Sequence, residues 1–399
     1  MSGSALLYLC DWLPPEFGAV GQYSLHFARE YAREGREVVL IGLTTGRPGT
    51  EVELLGAGRL VIVRLAARAY DKSSWLGRMR WTLATDLRLL HELARHVRGC
   101  DEILFTGAPP FMLHLLVPAN LVWNKRLIYR ITDFWPECLM AALPRPSRAL
   151  DLLWRWTCYL RRRVDFFQAL GEDQVRRLRA IGIPAERITL KRDPSPVVIG
   201  AATRPLPRPP ELAGRVVLLY SGNWGVAHEV DTFVEGYRRH HREGSGRVGL
   251  WLNAVGAGGA EVERRLRAEG LPLARTEPVP LEQLASLLVT PDAHLVTLKD
   301  AFVGYVLPSK VYGCVASRRP LLFIGDETSD VHRVASEGLP GWAYRRVAVG
   351  DIEGVARALE AIADLADRRV SAEMTSRREV PEPGGFMHAD LLPCPTSTS

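Results

Sequence analysis

Short apolar runs rich in β-branched residues alternate along the chain with amphipathic stretches of helical period. Leu6 to Leu9 reads as a buried strand and is followed by a turn bearing Gly18 and Gly21. A helix then presents Leu25, Phe27, Ala28, Tyr31 and Ala32 on one face, stops at Gly35, and leads into a second buried strand, Glu37 to Ile41. This is a βαβ unit. The same alternation predicts strands at Leu60 to Arg64, Glu102 to Thr106, Arg126 to Ile131 and Arg187 to Lys191, with helices over 75–97, 109–121, 147–163 and 172–181. A linker rich in proline (194, 196, 205, 207, 209 and 210) interrupts the pattern, which then restarts with Val216 to Tyr220 and a helix carrying Val230, Phe233, Val234 and Tyr237. Strands over 247–255, 294–298 and 321–324, with helices over 261–269, 281–289, 328–336 and 351–366, complete the second half. The expected architecture is α/β, with two Rossmann-like doubly wound domains facing across a cleft, over residues 1–195 and 196–370. The remaining 371–399 reads as a tail, poorly ordered beyond its first residues.

The length of 399 residues, with 47% hydrophobic and 24% charged positions, agrees with two cores of ordinary size. A net charge of +6, from 51 basic and 45 acidic residues, is too mild to indicate a nucleic-acid partner. Six cysteines, at 10, 100, 138, 158, 314 and 394, form no CxxC pair, which suits a reducing cytoplasm. The apolar start is broken by Asp11 and lacks a basic flank, so it reads as a strand and not as a signal peptide. No run reaches the roughly 20 apolar residues that span a bilayer. Any membrane contact is then peripheral, at the inner face. Arg155, Arg161, Arg162, Arg163, Arg176, Arg177 and Arg179 crowd beside Trp154, Trp156, Tyr159 and Leu160. The 154–163 part of this region suits either anionic lipid headgroups or a plain solvated face.

Candidate chemistry gathers at the predicted strand ends. Between strands 294–298 and 321–324, Pro308, Ser309 and Lys310 open a helix whose Val311, Cys314 and Val315 form an apolar stripe. The free N–H groups of a helix start, a Ser309 cap and the Lys310 ammonium together attract phosphate. The loop after Tyr220, with Ser221, Gly222, Asn223, Trp224, Gly225, His228 and Glu229, is glycine-bearing and precedes a helix, which favours an anionic or sugar ligand. In the first half, the 11–23 loop can approach a ligand through backbone N–H groups. It lacks the G-x-G-x-x-G of a dinucleotide site, which argues against a dehydrogenase. Asp133, just past the strand ending at Ile131, is the one carboxylate read as lying immediately at a strand end.

Four motifs, in order, carry a family resemblance over about residues 5–368. PPEFGAVGQYSLHFAREYAREGREVVLI, ITDFWPE, YSGNWGVAHEVDTF and LKDAFVGYVLPSKVYGCVASRRPLLFIG resemble the GT-B glycosyltransferases, and within them the family 4 group. The last motif looks like the PSK-x-Y-G pattern of the branch that builds capsular, exopolysaccharide and lipopolysaccharide chains. The resemblance implies an acceptor-binding first domain, a donor-binding second domain, a nucleotide-diphosphate sugar as co-substrate, retention of anomeric configuration, and neither a metal nor a further cofactor. No Asp-x-Asp pair at a strand end agrees with that.

With a nucleotide-diphosphate sugar as the expected co-substrate, donor contacts are assigned to Gly18, Gly21, Ser221, Gly222, Asn223, Trp224, Tyr305, Pro308, Ser309 and Lys310. Lys310, Ser309, the Ser221 and Gly222 amides and His228 would serve the diphosphate, His228 donating a hydrogen bond whether or not it is protonated, and Asp133 would orient or deprotonate the acceptor hydroxyl. The sequence departs from the family where a pair of Glu residues is usual, at Tyr305 and Gly313, and where an Arg and a Lys are usual, at Asn223 and His228. Three expectations follow: transfer to a lipid-linked acceptor in cell-surface glycan synthesis, transfer to a diffusible small molecule, or an inactive homologue that binds or scaffolds.

Overall fold

The computed structural model describes residues 5–16, 18–68, 75–145 and 147–378. Fourteen strands are present among them: β1 Ala5–Trp12, β2 Glu37–Thr44, β3 Gly49–Leu55, β4 Gly58–Ala66, β5 Glu102–Thr106, β6 Arg126–Ile131, β7 Phe166–Ala169, β8 Ile188–Leu190, β9 Val216–Asn223, β10 Val248–Val255, β11 Leu273–Thr276, β12 Ala293–Thr297, β13 Leu321–Ile324 and β14 Tyr344–Val347. They form an eight-stranded sheet, β3-β4-β2-β1-β5-β6-β7-β8, and a six-stranded sheet, β11-β10-β9-β12-β13-β14. All neighbours run parallel except β3, which is antiparallel to β4. The expected α/β architecture with two parallel-sheet domains is the one observed.

Parallel strands must be apolar on both faces because helices cover both, and the burial follows that rule. Leu6 to Cys10 and Val217 to Tyr220 are at most 1% exposed. The strands that periodicity missed are those with a different environment. β3 reads GTEVELL and is exposed along most of its length as a sheet edge, so its apolar residues carry no core signal. β7, β11 and β14 are each four residues long, too short for a period to register.

The last helix, Ile352–Arg378, extends past the predicted 351–366 and past residue 370. Its sequence offers no Gly or Pro between Val355 and Arg378 to end it. It packs on the helix Asp231–Glu243, where a Cβ added to Gly236 would lie 2.4 Å from the Val355 Cβ. Residues 379–399 of the predicted tail lie outside the described residues. Among the described residues no helix is long and apolar enough to cross a membrane.

The two sheets meet through a polar seam. Asp133 and Val306 form an isolated antiparallel bridge, and Phe134 N–H donates to the Tyr305 carbonyl at 2.9 Å. Arg177 donates to the Val303 carbonyl at 3.0 Å, and Arg192 pairs with Asp330 at 2.9 Å.

Candidate functional site

A cavity of about 120 Å³ lies where the carboxyl ends of the first sheet face the second domain. Tyr23, Thr106, Arg130, Asp133 and Asp193 line it from the first domain, and Leu307 and Ser309 from the second. Asp133 therefore stands where strand order places it, with surface open to the cavity. Desolvation raises its carboxyl to about 6.

Asp11, at the end of β1, is raised to about 6 as well, by burial first and by the charge of Asp133 among the lesser causes. Asp133 is thus not the sole strand-end carboxylate, and Asp11 was legible by the same position rule. Arg130 and Asp193, 2% and 6% exposed, form an ion pair at 2.6 Å on the cavity wall. Burial raises the Asp193 carboxyl and Arg130 opposes the rise. Sequence reading missed this pair because Arg130 lies inside a strand and Asp193 enters the proline-rich linker.

The glycines of the first loop divide. Gly18 precedes the helix Ala19–Arg33 with open space around its missing side chain. At Gly21 a Cβ would lie 1.7 Å from the Trp12 carbonyl oxygen, so this glycine serves close packing of helix on strand.

In the second domain β9 continues three residues beyond its predicted end, through Ser221, Gly222 and Asn223. Gly222 has φ +106°, a conformation glycine adopts without strain, and the Lys310 side chain crosses just above it. Lys310 Nζ sits 3.6 Å from the Tyr220 ring centroid and 3.4 Å from the Asn223 carbonyl oxygen. Desolvation pulls the ammonium down to about 7. Ser221 Oγ donates to Asn253 Oδ1 at 3.3 Å, so the loop backbone is anchored from below. The cation predicted for the diphosphate and the β9 loop therefore converge.

Several predicted roles change. His228 is 8% exposed, and its Nδ1 contacts the Thr297 carbonyl at 2.6 Å. A carbonyl only accepts, so Nδ1 carries the proton. Burial, followed by the Lys310 charge, lowers the ring to about 3, which keeps it neutral and leaves Nε2 an acceptor. His228 can thus receive a hydrogen bond from a ligand hydroxyl; it cannot donate one to phosphate.

Trp224 is fully buried, stacked 3.7 Å from Tyr220, with its indole N–H donated to the Glu229 carbonyl, so it shapes the loop from beneath instead of touching a donor. Tyr305 faces the first domain: its ring lies 4.3 Å from the Arg177 guanidinium and 6.0 Å from Phe134. Pro308 is buried. Ser309 has helical dihedrals and makes no side-chain cap, because Val311 and Tyr312 N–H groups bond to Pro308 and Ser309 carbonyls within the turn. The helix Lys310–Ala316 has only seven residues, so the ammonium and not its amino end is the main positive feature.

No family model matches the chain. It is 22% identical to the "Probable glycosyltransferase WbjE" of Pseudomonas aeruginosa over 276 residues, a span covering 66% of each protein. Among solved structures it resembles trehalose-6-phosphate from E. coli bound with UDP-2-fluoro glucose, at TM-score 0.59 and 13% identity, over 95% of this chain and 100% of that one. It also resembles the lipopolysaccharide outer core galactosyltransferase WaaB, at TM-score 0.53 and 13% identity, over 90% of each chain. With two parallel sheets meeting at the carboxyl ends of their strands, the chain has the two-domain α/β architecture of these structures, the GT-B fold.

Proposed function

We propose that the protein transfers a sugar from a nucleotide-diphosphate sugar to a hydroxyl acceptor. The observation that carries this is Lys310, held against the Tyr220 ring at the end of β9, beside a cavity that Ser309 and Asp133 line from opposite domains. Departure of the diphosphate places negative charge on the leaving oxygen, and a preformed ammonium in a poorly solvated setting offsets it. The Gly222 backbone allows that cation close approach, the His228 Nε2 accepts from a sugar hydroxyl, and Asp133 orients the acceptor hydroxyl and takes its proton. The likeness to WbjE and to a structure bound with UDP-2-fluoro glucose supports a nucleotide-sugar donor.

The finer reading is a retaining, metal-independent transfer at the cytoplasmic side, onto a lipid-linked acceptor in cell-surface glycan synthesis. A thermal-shift screen of nucleotide sugars, followed by nucleotide release with the best ligand, tests it. A donor that raises the melting temperature and is turned over by the wild type but not by Lys310→Ala upholds the proposal. Binding without nucleotide release favours the inactive-homologue reading, to which Tyr305 and Gly313 lend support, since one packs on the first domain and the other against Leu288 and Pro196.

A further inference from the structure

The helix Arg148–Arg161 turns an unusual face to solvent. Arg148, Leu152, Arg155, Trp156 and Tyr159 recur along it at steps of three and four, which places them on one side. Leu152 is 70% exposed, Tyr159 49% and Trp156 47%. Thr157, Cys158, Leu160 and Arg161 take the inward side.

Charge distinguishes this face from a patch awaiting a protein. Arg145, Arg148, Arg155, Arg162 and Arg163 are exposed and make no ion pair among the described residues. Between residues 138 and 164, Asp151 is the only acid. Arg161, counted with this cluster on sequence, is buried against Glu137 and belongs to the interior. Large apolar tips set singly among arginines that make no ion pair, Arg162 and Arg163 being held by the Ile181 carbonyl and the Tyr159 hydroxyl, suit insertion at a headgroup boundary, where the guanidinium groups meet phosphate and the indole and phenol rings stay amphipathic.

A row of rings runs from this face to the cavity side. The Trp156 ring lies 4.7 Å from His114, His114 5.6 Å from Trp135, and Trp135 follows Asp133 by two residues. His114 Nε2 donates to Thr157 Oγ1 at 2.9 Å, because the Thr157 hydroxyl proton is given to the Leu153 carbonyl. This bond ties the exposed helix to the helix Met112–Trp123, whose His114 ring in turn packs edge-on against Trp135, two residues past Asp133.

We infer that this face rests on a bilayer surface bearing anionic headgroups, and that the acceptor is an amphiphile presented from that bilayer to the Asp133 side of the cavity. The acceptor half rests on the proposed function; the docking half does not.

The test is co-sedimentation of the full chain with vesicles of phosphatidylcholine alone or with about one third phosphatidylglycerol. The wild type should bind the anionic vesicles about tenfold more tightly or better, and 1 M salt should release it, since the Debye length then falls to about 3 Å. Leu152→Glu and Arg148→Glu/Arg155→Glu should each fall to the neutral-vesicle level with an unchanged melting temperature. Trp156→Glu should do the same, but its ring packs on His114, so the first two variants decide. Wild type that stays in the supernatant, equal binding to both vesicle types, or glutamate variants that bind like wild type would overturn the inference. So would a dimer in vesicle-free solution that the same variants dissolve, which would assign the face to a second copy. Vesicle binding together with failed nucleotide release would remove the functional reading and leave the docking intact.

Discussion

Asp173 and Asp330 cap each other's helices across the domain seam. Asp330 N–H donates to the Asp173 carboxylate at 3.0 Å, and Glu172 N–H donates to the Asp330 carboxylate at 3.0 Å. Each acid stands in the first turn of its helix, Glu172–Ala180 or Asp330–Gly338, where N–H groups lack intrahelical partners and the dipole favours negative charge. Arg192 adds a bond at 2.9 Å to the same Asp330 carboxylate, which is 2% exposed.

Asp330→Ala removes three charge-assisted bonds, two from Arg192 and one from Glu172, and leaves the Glu172 N–H unpaired. The expected cost is about 3 kcal/mol, discounted because Arg192 reaches solvent. Urea unfolding measures the loss, and small-angle scattering should show a larger radius of gyration as the domains part. An unaltered radius would mean that the remaining seam suffices to hold them.

Activity should be bell-shaped in pH. Asp133 must be ionised to take a proton, so kcat/KM falls as pH drops below about 6. Lys310 must be charged to meet the diphosphate, so kcat/KM of the free enzyme falls as pH rises above about 7. Asp133→Asn should lower kcat by about 100-fold or more and abolish the acid limb. An acid limb that survives in this variant would remove Asp133 from the proton transfer.

Lys310→Ala should lower kcat/KM by about 100-fold to 1000-fold, as expected for loss of one preorganised group facing a developing charge. Its melting temperature should hold, because the ammonium makes only a long bond to the Asn223 carbonyl and a ring contact. Measured turnover within a few-fold of wild type would discard the assignment.

His228 should stay neutral, with Nδ1 protonated, throughout pH 5 to 8. Nitrogen-15 shifts of the labelled ring report this directly: one pyrrole-like and one pyridine-like resonance, without titration. A midpoint near that of ordinary histidine would contradict the burial that pulls its value down to about 3.

Gly21→Ala should destabilise the first domain by about 3 kcal/mol, because the new methyl would collide with the Trp12 carbonyl, which neither helix nor strand can yield without repacking. Gly18→Ala, with nothing within 4 Å, should cost far less. Comparing the two melting temperatures separates glycine used for packing from glycine that leaves space for a ligand.

The alternation of apolar strands and amphipathic helices determined the α/β class, the break near the proline-rich linker and the position of Asp133, because strand ends and turns are local properties of the chain. The same locality explains the gaps. β7, β11 and β14 were too short to show a period, and β3 lies at an edge where no burial shapes its composition.

Side-chain direction was decided only in three dimensions. Tyr305 and Lys310 stand five residues apart in one motif, yet one faces the opposite domain and the other the end of β9. His228 became an acceptor because a carbonyl 69 residues away claims its proton. Sequence by itself fixes which groups stand near a strand end; long-range packing determines which are desolvated, which are already paired, and which remain to meet a ligand.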